Sequence, residues 1–228
     1  MFKRTLTYSD YFLIAANLLP VIGTWFLGWS ATEVFVVYCL ETIVVGIFNL
    51  IKMGIVTAVK KKEMWYNNGA GQMQSGIFFM FFFLVHYGFF VAIQTGIFVE
   101  ASGIGKEYHA GFFDFFIHWP KYITGDAYTM LLGFFIGYGV KLVWDFIIPG
   151  VYKKASLMQL MFQPYLRIFI QQVTVILGSL FLSFGAGKVF VLIFAAIKIA
   201  FEVYLNFDAV IDKSMKEMIE QEKKGSAQ

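Results

Sequence analysis

A polytopic, all-α bundle of transmembrane helices is the fold class that this chain predicts, and three observations predict it. Of its 228 residues, 59% are hydrophobic and only 14% are charged. Soluble domains have an apolar share of about 45–50% and a charged share of about 25%. The apolar residues gather into six runs, each near the roughly 20 residues needed to cross about 30 Å of hydrocarbon. Lysine and arginine concentrate in alternate connections, and that asymmetry orients such a bundle in a membrane.

The expected spans are 10–29, 34–58, 76–99, 127–149, 165–184 and 187–206, and together they make residues 1–228 a single integral membrane domain. The first run follows Lys3 and Arg4, but it is long, and "GWSA" is a poor cleavage site with Trp29 in it. It therefore reads as a retained span and not as a signal peptide. Only "GAG" (Gly185 to Gly187) separates the last two runs, which predicts a tight helical hairpin. Lys60, Lys61, Lys62, Lys153, Lys154 and the lysines of the tail 207–228 fall on the same side as Lys3 and Arg4. By the positive-inside bias both termini are cytoplasmic. The long outer connection contains "YHAGFFDFFIHWPKY". A helix over about 110–119 would place Asp114 and His118 on one face and Phe112, Phe113, Phe116 and Trp119 on the other, so it would lie in the headgroup region and end at Pro120. Trp25, Trp29, Trp65, Trp119 and Trp144 fall near the expected interfaces, as belt residues do.

Several function classes are excluded or unsupported. No basic patch with interleaved aromatics points to nucleic acid. Cys39 is the only cysteine, so no intrachain disulfide or zinc-thiolate cage can form. The chain has no G-x-S-x-G elbow, no P-loop and no G-x-G-x-x-G turn. Gly133, Gly137 and Gly139 in "GFFIGYG" read as close-packing points for a neighbouring helix.

Chemistry is therefore sought among the polar residues inside the spans, which normally face the bundle interior or a wet cavity. They align at helical spacing: Asp10, Asn17 and Thr24; Tyr38, Glu41 and Lys52; Tyr138, Lys141 and Asp145; Arg167, Gln171 and Thr174, with Gln172 beside them; and Lys198, Glu202 and Asn206. Depths estimated from a rise of about 1.5 Å per residue sort them into two groups. An inner vestibule contains Lys141, Asp145, Gln171, Gln172, Lys198 and Glu202, with Lys141–Asp145 and Lys198–Glu202 as self-neutralising pairs along one helix. An outer ligand or ion site contains Glu41, His86 and Gln94, with Tyr38 and Asn49. Within it, a Glu41–His86 hydrogen bond across spans two and three would satisfy two costly groups at once. A metal ion is the one cofactor considered, with Glu41, His86, His109 and His118 as candidate ligands, but their spacing matches no fixed metal motif.

The segments "VYCLETIVVGIFNLIKMG" and "FFFLVHYGFF" carry Tyr38, Glu41, Gly46, Asn49, His86, Tyr87 and Gly88. On these residues the chain resembles an uncharacterised bacterial family of small six-helix membrane proteins. The resemblance implies a multi-pass protein of the bacterial inner membrane and supplies no activity.

Three functions stay open at this point. The leading one binds or passes a small solute or ion: Glu41 takes a cation or proton, His86 relays it, Gln94 lines the outer approach, and Gln171 and Gln172 line the inner one. The second is a metal-assisted intramembrane enzyme acting on a lipid-like substrate. The third is a scaffold or assembly partner in which Glu41 and His86 only clasp helices. The lipid bilayer is the partner common to all three; self-association as a homo-oligomer is left open.

Overall fold

A computed structural model describes residues 6–67, 70–101, 117–201 and Glu217. The described residues form the helices α1 (Tyr8–Phe26), α2 (Ala31–Lys60), α3 (Gly76–Ala101), α4 (Gly125–Lys141), α5 (Leu157–Ser183) and α6 (Gly187–Ile199). Three helical stretches, Ala31–Lys60, Gly76–Glu100 and Gly125–Ile147, are long and apolar enough to cross a membrane. The last of these includes a π-helical turn, Leu142–Ile147, that continues α4.

The helix ends follow from local chemistry. Ser30 caps α2 by accepting from Glu33 N, and Ser156 caps α5 by accepting from Gln159 N. At the start of α1, Asp10 Oδ2 accepts from both Thr7 N and Thr7 Oγ1 at 2.8 Å. These contacts satisfy backbone donors that a helix start leaves without intrahelical partners. Gly185, at φ 73°, turns the chain between α5 and α6, as the "GAG" spacing predicts.

Helix α5 begins at Leu157, eight residues before the expected start at 165, and runs through Pro164. Proline has no N–H to give the carbonyl four residues back, which here belongs to Leu160. Asn49 Nδ2 of α2 donates to that oxygen at 2.9 Å. The helix passes the proline because a neighbour replaces the missing bond.

A two-stranded hairpin, β1 (Lys62–Asn67) with β2 (Ala70–Ser75), joins α2 to α3 and was not anticipated. Its Trp65 ring packs on Phe78, Phe79 and Phe82 at the start of α3. Its Glu63 accepts from Ser156 Oγ and from Leu157 N, the latter at 2.7 Å, and so caps α5 from outside.

Helix α2 is the central element. It packs against α3, α4 and α5, α1 packs against α4 and α6, and α3 packs against α5. Of the most apolar window of α2, 72% is buried, against 28% for α3, so α2 is the axis and α3 lies on the outside. Successive helices alternate in direction. Glu33 Oε2 accepts from Thr124 N at 2.8 Å, and Trp25 Nε1 donates to Lys188 O at 3.2 Å, tying together one end of the bundle. Lys60 Nζ donates to Ala155 O at 2.7 Å, and with the Glu63 cap it marks the other. Gly137 and Gly133 of α4 approach Leu13 and Leu19 of α1, and Gly139 approaches Phe48 of α2. All three are the close-packing points expected.

The expected interfacial helix at 110–119 falls mostly outside the described residues. Its last part is present as a helical Ile117–His118 that passes into a 3-10 turn, Trp119–Tyr122. The tail 207–228 lies outside them apart from Glu217.

Candidate functional site

The polar stripe of α1 is buried as the spacing predicts: Asp10, Asn17 and Thr24 are each 0% exposed. Thr24 Oγ1 and Asn17 Nδ2 bond back to Pro20 O and Leu13 O. Asp10 Oδ1 is 3.1 Å from Lys141 Nζ of α4. Lys141, expected to pair with Asp145 on its own helix, thus reaches across to α1.

The centre of the bundle is built on Glu41. Its carboxylate is 1% exposed and Lys198 is 3% exposed. Lys198 Nζ of α6 forms an ion pair with Glu41 Oε2, and Tyr138 Oη of α4 donates to Glu41 Oε1 at 2.7 Å. Aromatic rings close around the ammonium, with centroids of Phe134, Tyr38 and Phe194 at 4.6, 5.1 and 5.8 Å from Nζ. Parallel packing of α2 against α6 sets this geometry. Phe35 stacks on Phe190 at 4.9 Å and Tyr38 meets Phe194 edge-on at 4.3 Å. The next turn of each helix then brings Glu41 to Lys198. The ring faces carry negative quadrupole charge and attract a cation held in a desolvated box.

His86 is not part of this site. It is exposed on α3, its Nδ1 is 2.6 Å from Tyr165 Oη of α5, and its ring lies between Phe82 and Phe90. The expected Glu41–His86 bond is therefore corrected: Glu41 meets Lys198 and Tyr138, and His86 meets Tyr165. The reason is helical phase. The buried line of α3 runs through Phe79, Phe83, Tyr87, Val91, Gln94 and Phe98. His86 precedes Tyr87 by one residue, which turns it about 100° away from that line. Tyr87 takes the inward position, donating to Thr42 O at 2.7 Å. It packs so closely on Gly46 that a Cβ there would lie 2.6 Å from the ring.

The division into outer and inner groups also changes, because Lys198 belongs with Glu41 and not in an inner vestibule. Asn49 spans from α2 to Leu160 O, a structural bond. Gln94 is 1% exposed, and neither amide atom has a partner among the described residues. The contact of His86 with Tyr165 sets the register of α3 on α5. It brings backbone positions 171 and 172 opposite the half of α3 nearer Ala101, away from the Lys60 end where the vestibule was expected. The side chains of Gln171 and Gln172 lie outside the described ones, as do Glu202 and His109. Asp145 sits in the π-helical turn, and the Lys52 ammonium lies over the Phe146 ring in the same turn, 5.5 Å from its centroid. His118, at the start of the 3-10 turn Trp119–Tyr122, and exposed His86 do not gather round Glu41. Among the described residues no group of three His, Cys, Asp or Glu could hold a metal ion.

A family model, the family of unknown function DUF6498, matches residues 1–225. The chain belongs to DUF6498. This agrees with the resemblance carried by the Tyr-x-x-Glu and His-Tyr-Gly segments, including the absence of an assigned activity. Comparison of this DUF6498 chain with curated proteins and with solved structures gives no match. The centre that Lys198 completes is half legible in its sequence: Tyr38 and Glu41 stand out together, whereas the spacing groups Lys198 with the inner vestibule and puts Tyr138 only in a stripe with Lys141 and Asp145.

Proposed function

We propose that this DUF6498 chain is a multi-pass protein of the bacterial inner membrane that binds or passes a small solute or ion, with the Glu41 carboxylate as the seat. All six helices would span, with the Lys60 end and both termini in the cytoplasm. Lys60, Lys61, Lys62, Lys153 and Lys154 in the connections at that end, against Lys106, Lys121 and Lys188 in the opposite connections, support this orientation.

The single observation that carries the functional reading is the buried Glu41–Lys198 pair. An apolar pair of similar volume holds helices together as well as, or better than, a buried ion pair. Ionisable residues within a membrane span mark pathways for ions or solutes by default. Exchange is the chemistry that the arrangement suits: an incoming cation or proton takes the carboxylate while Lys198 withdraws, and Lys198 returns when it leaves. The Asp10–Lys141 pair lies on the same seam of α4, one turn from Tyr138 and nearer the Lys60 end. It would line the inner approach.

The test is permeation in proteoliposomes, with trapped pyranine reporting protons and labelled sodium and methylammonium reporting cations. The expected result is flux for at least one of them, lost in Glu41→Gln while the variant remains monodisperse. Vesicles no more permeable than empty ones to all three would refute passage. One observation favours a second reading, a closed helix clasp: both Glu41 oxygens already have protein partners. Impermeable vesicles would favour it.

A further inference from the structure

The site around Glu41 is already shaped for one chemical group, because it holds one. The geometry points to a binding site for a small primary alkylammonium ion, whose nitrogen takes the place of the Lys198 ammonium between Glu41 and the rings of Tyr38, Phe134 and Phe194. This rests on the reading of Glu41 as the seat of exchange, and it names the substrate class.

Three features single out an ammonium group. The first is the buried carboxylate, whose Oε1 is fixed by Tyr138 while Oε2 faces the cation. The second is the set of aromatic centroids at 4.6, 5.1 and 5.8 Å. Aromatic faces are the usual means of recognising organic ammonium ions. A small inorganic cation would instead need several oxygens around it, and rings do not supply them.

The third is Asn17, which the ion pair does not use. Its Oδ1 is buried and has no partner among the described residues. Two registers place it at the level of the box. Along α1 and α4, Asp10 faces Lys141, Leu13 faces Gly137 and Leu19 faces Gly133, so Asn17 falls opposite Phe134. Along α1 and α6, Trp25 meets Lys188, and counting down both antiparallel helices brings Asn17 within a turn of Lys198. A primary ammonium has three N–H donors. A carboxylate oxygen and an unused amide oxygen at one level, with aromatic walls, match that donor set. Lys198 approaches as a side chain of α6, so a free amine with a short alkyl chain is the ligand that best imitates it.

The test is equilibrium binding of labelled methylammonium to the purified full chain, read by scintillation proximity. Saturable binding is expected, displaced by ethylammonium and not by equal concentrations of sodium or acetate. Glu41→Gln should abolish it, and Asn17→Leu should weaken it several-fold. Lys198→Ala removes the resident competitor, so apparent affinity should rise about tenfold or more. Absence of saturable binding to the native chain, or binding that survives Glu41→Gln, would overturn the proposal. Should Lys198→Ala fail to fold, the native chain and Glu41→Gln decide it. Amine binding with impermeable vesicles would leave this site standing and remove the passage reading. Proton or sodium flux without amine binding would do the reverse.

Discussion

Lys198→Met isolates the electrostatic part of the central pair. Methionine keeps a long unbranched stem and makes favourable contacts with aromatic rings, so the box formed by Tyr38, Phe134 and Phe194 stays filled. What disappears is the ammonium. Glu41, 1% exposed, then loses its cation and keeps the Tyr138 hydroxyl. Removing one member of a buried ion pair costs about 3–5 kcal/mol. For a domain of this size, roughly 2–4 °C of Tm accompanies each kcal/mol, so Tm should fall by about 6–20 °C. The combined variant Glu41→Gln with Lys198→Met removes both charges and leaves an amide for Tyr138. Replacing a whole buried pair by neutral, well-packed groups is often close to neutral, so the double variant should be more stable than Lys198→Met alone. Intrinsic fluorescence of the five tryptophans during heating in detergent measures this directly. The reasoning is refuted if Lys198→Met melts with the native chain, or if the double variant is at least as unstable as the single one.

Other consequences follow from neighbouring contacts. Asn49→Leu should cost about 1–2 kcal/mol, because it strands the Leu160 carbonyl freed by Pro164. In a Pro164→Ala background that cost should shrink, which a double-mutant cycle would measure. Glu63→Ala should lower Tm by loss of the external cap on α5, at about 1 kcal/mol, and chemical denaturation of both forms would show it. Gly46→Ala should destabilise by about 1–3 kcal/mol through collision with the Tyr87 ring; an unchanged Tm would count against the close approach of α2 and α3. Tyr165→Phe should shift the His86 imidazole nitrogen resonances while leaving amine binding intact, since His86 stands apart from the Glu41 site.

What could be read from the sequence divides along physical lines. Properties that depend on one helix alone were legible. The stripe of Asp10, Asn17 and Thr24 is buried as its spacing requires, and the α5–α6 hairpin turns at Gly185. Properties that depend on which helices face each other were not. Lys198 has a carboxylate candidate one turn along in Glu202, so a local pairing seemed sufficient. Only the parallel register of α2 on α6 brings it to Glu41. His86 was misplaced for a related reason: α3 is apolar all round, so nothing in its periodicity marks the inward face. Tyr87, one position later, faces the interior. The early start of α5 was hidden because Pro164 ordinarily ends a helix, and its compensation comes from Asn49, more than a hundred residues away. The hairpin did leave a signal, the Asn68-Gly69 pair between two short polar runs, a known mark of tight hairpin turns. Its strands are too polar to stand out beside the apolar spans.

The most direct test is a dipolar distance measurement by solid-state NMR in lipid bilayers, with carbon label on the Glu41 carboxyl and nitrogen label on lysine and histidine side chains. The account predicts strong dephasing from one lysine nitrogen at ion-pair distance, about 3–4 Å from the carboxyl carbon, lost in Lys198→Met and unchanged in Lys141→Met. Dephasing of the Glu41 carboxyl by the His86 imidazole, or by no side-chain nitrogen at all, would contradict it.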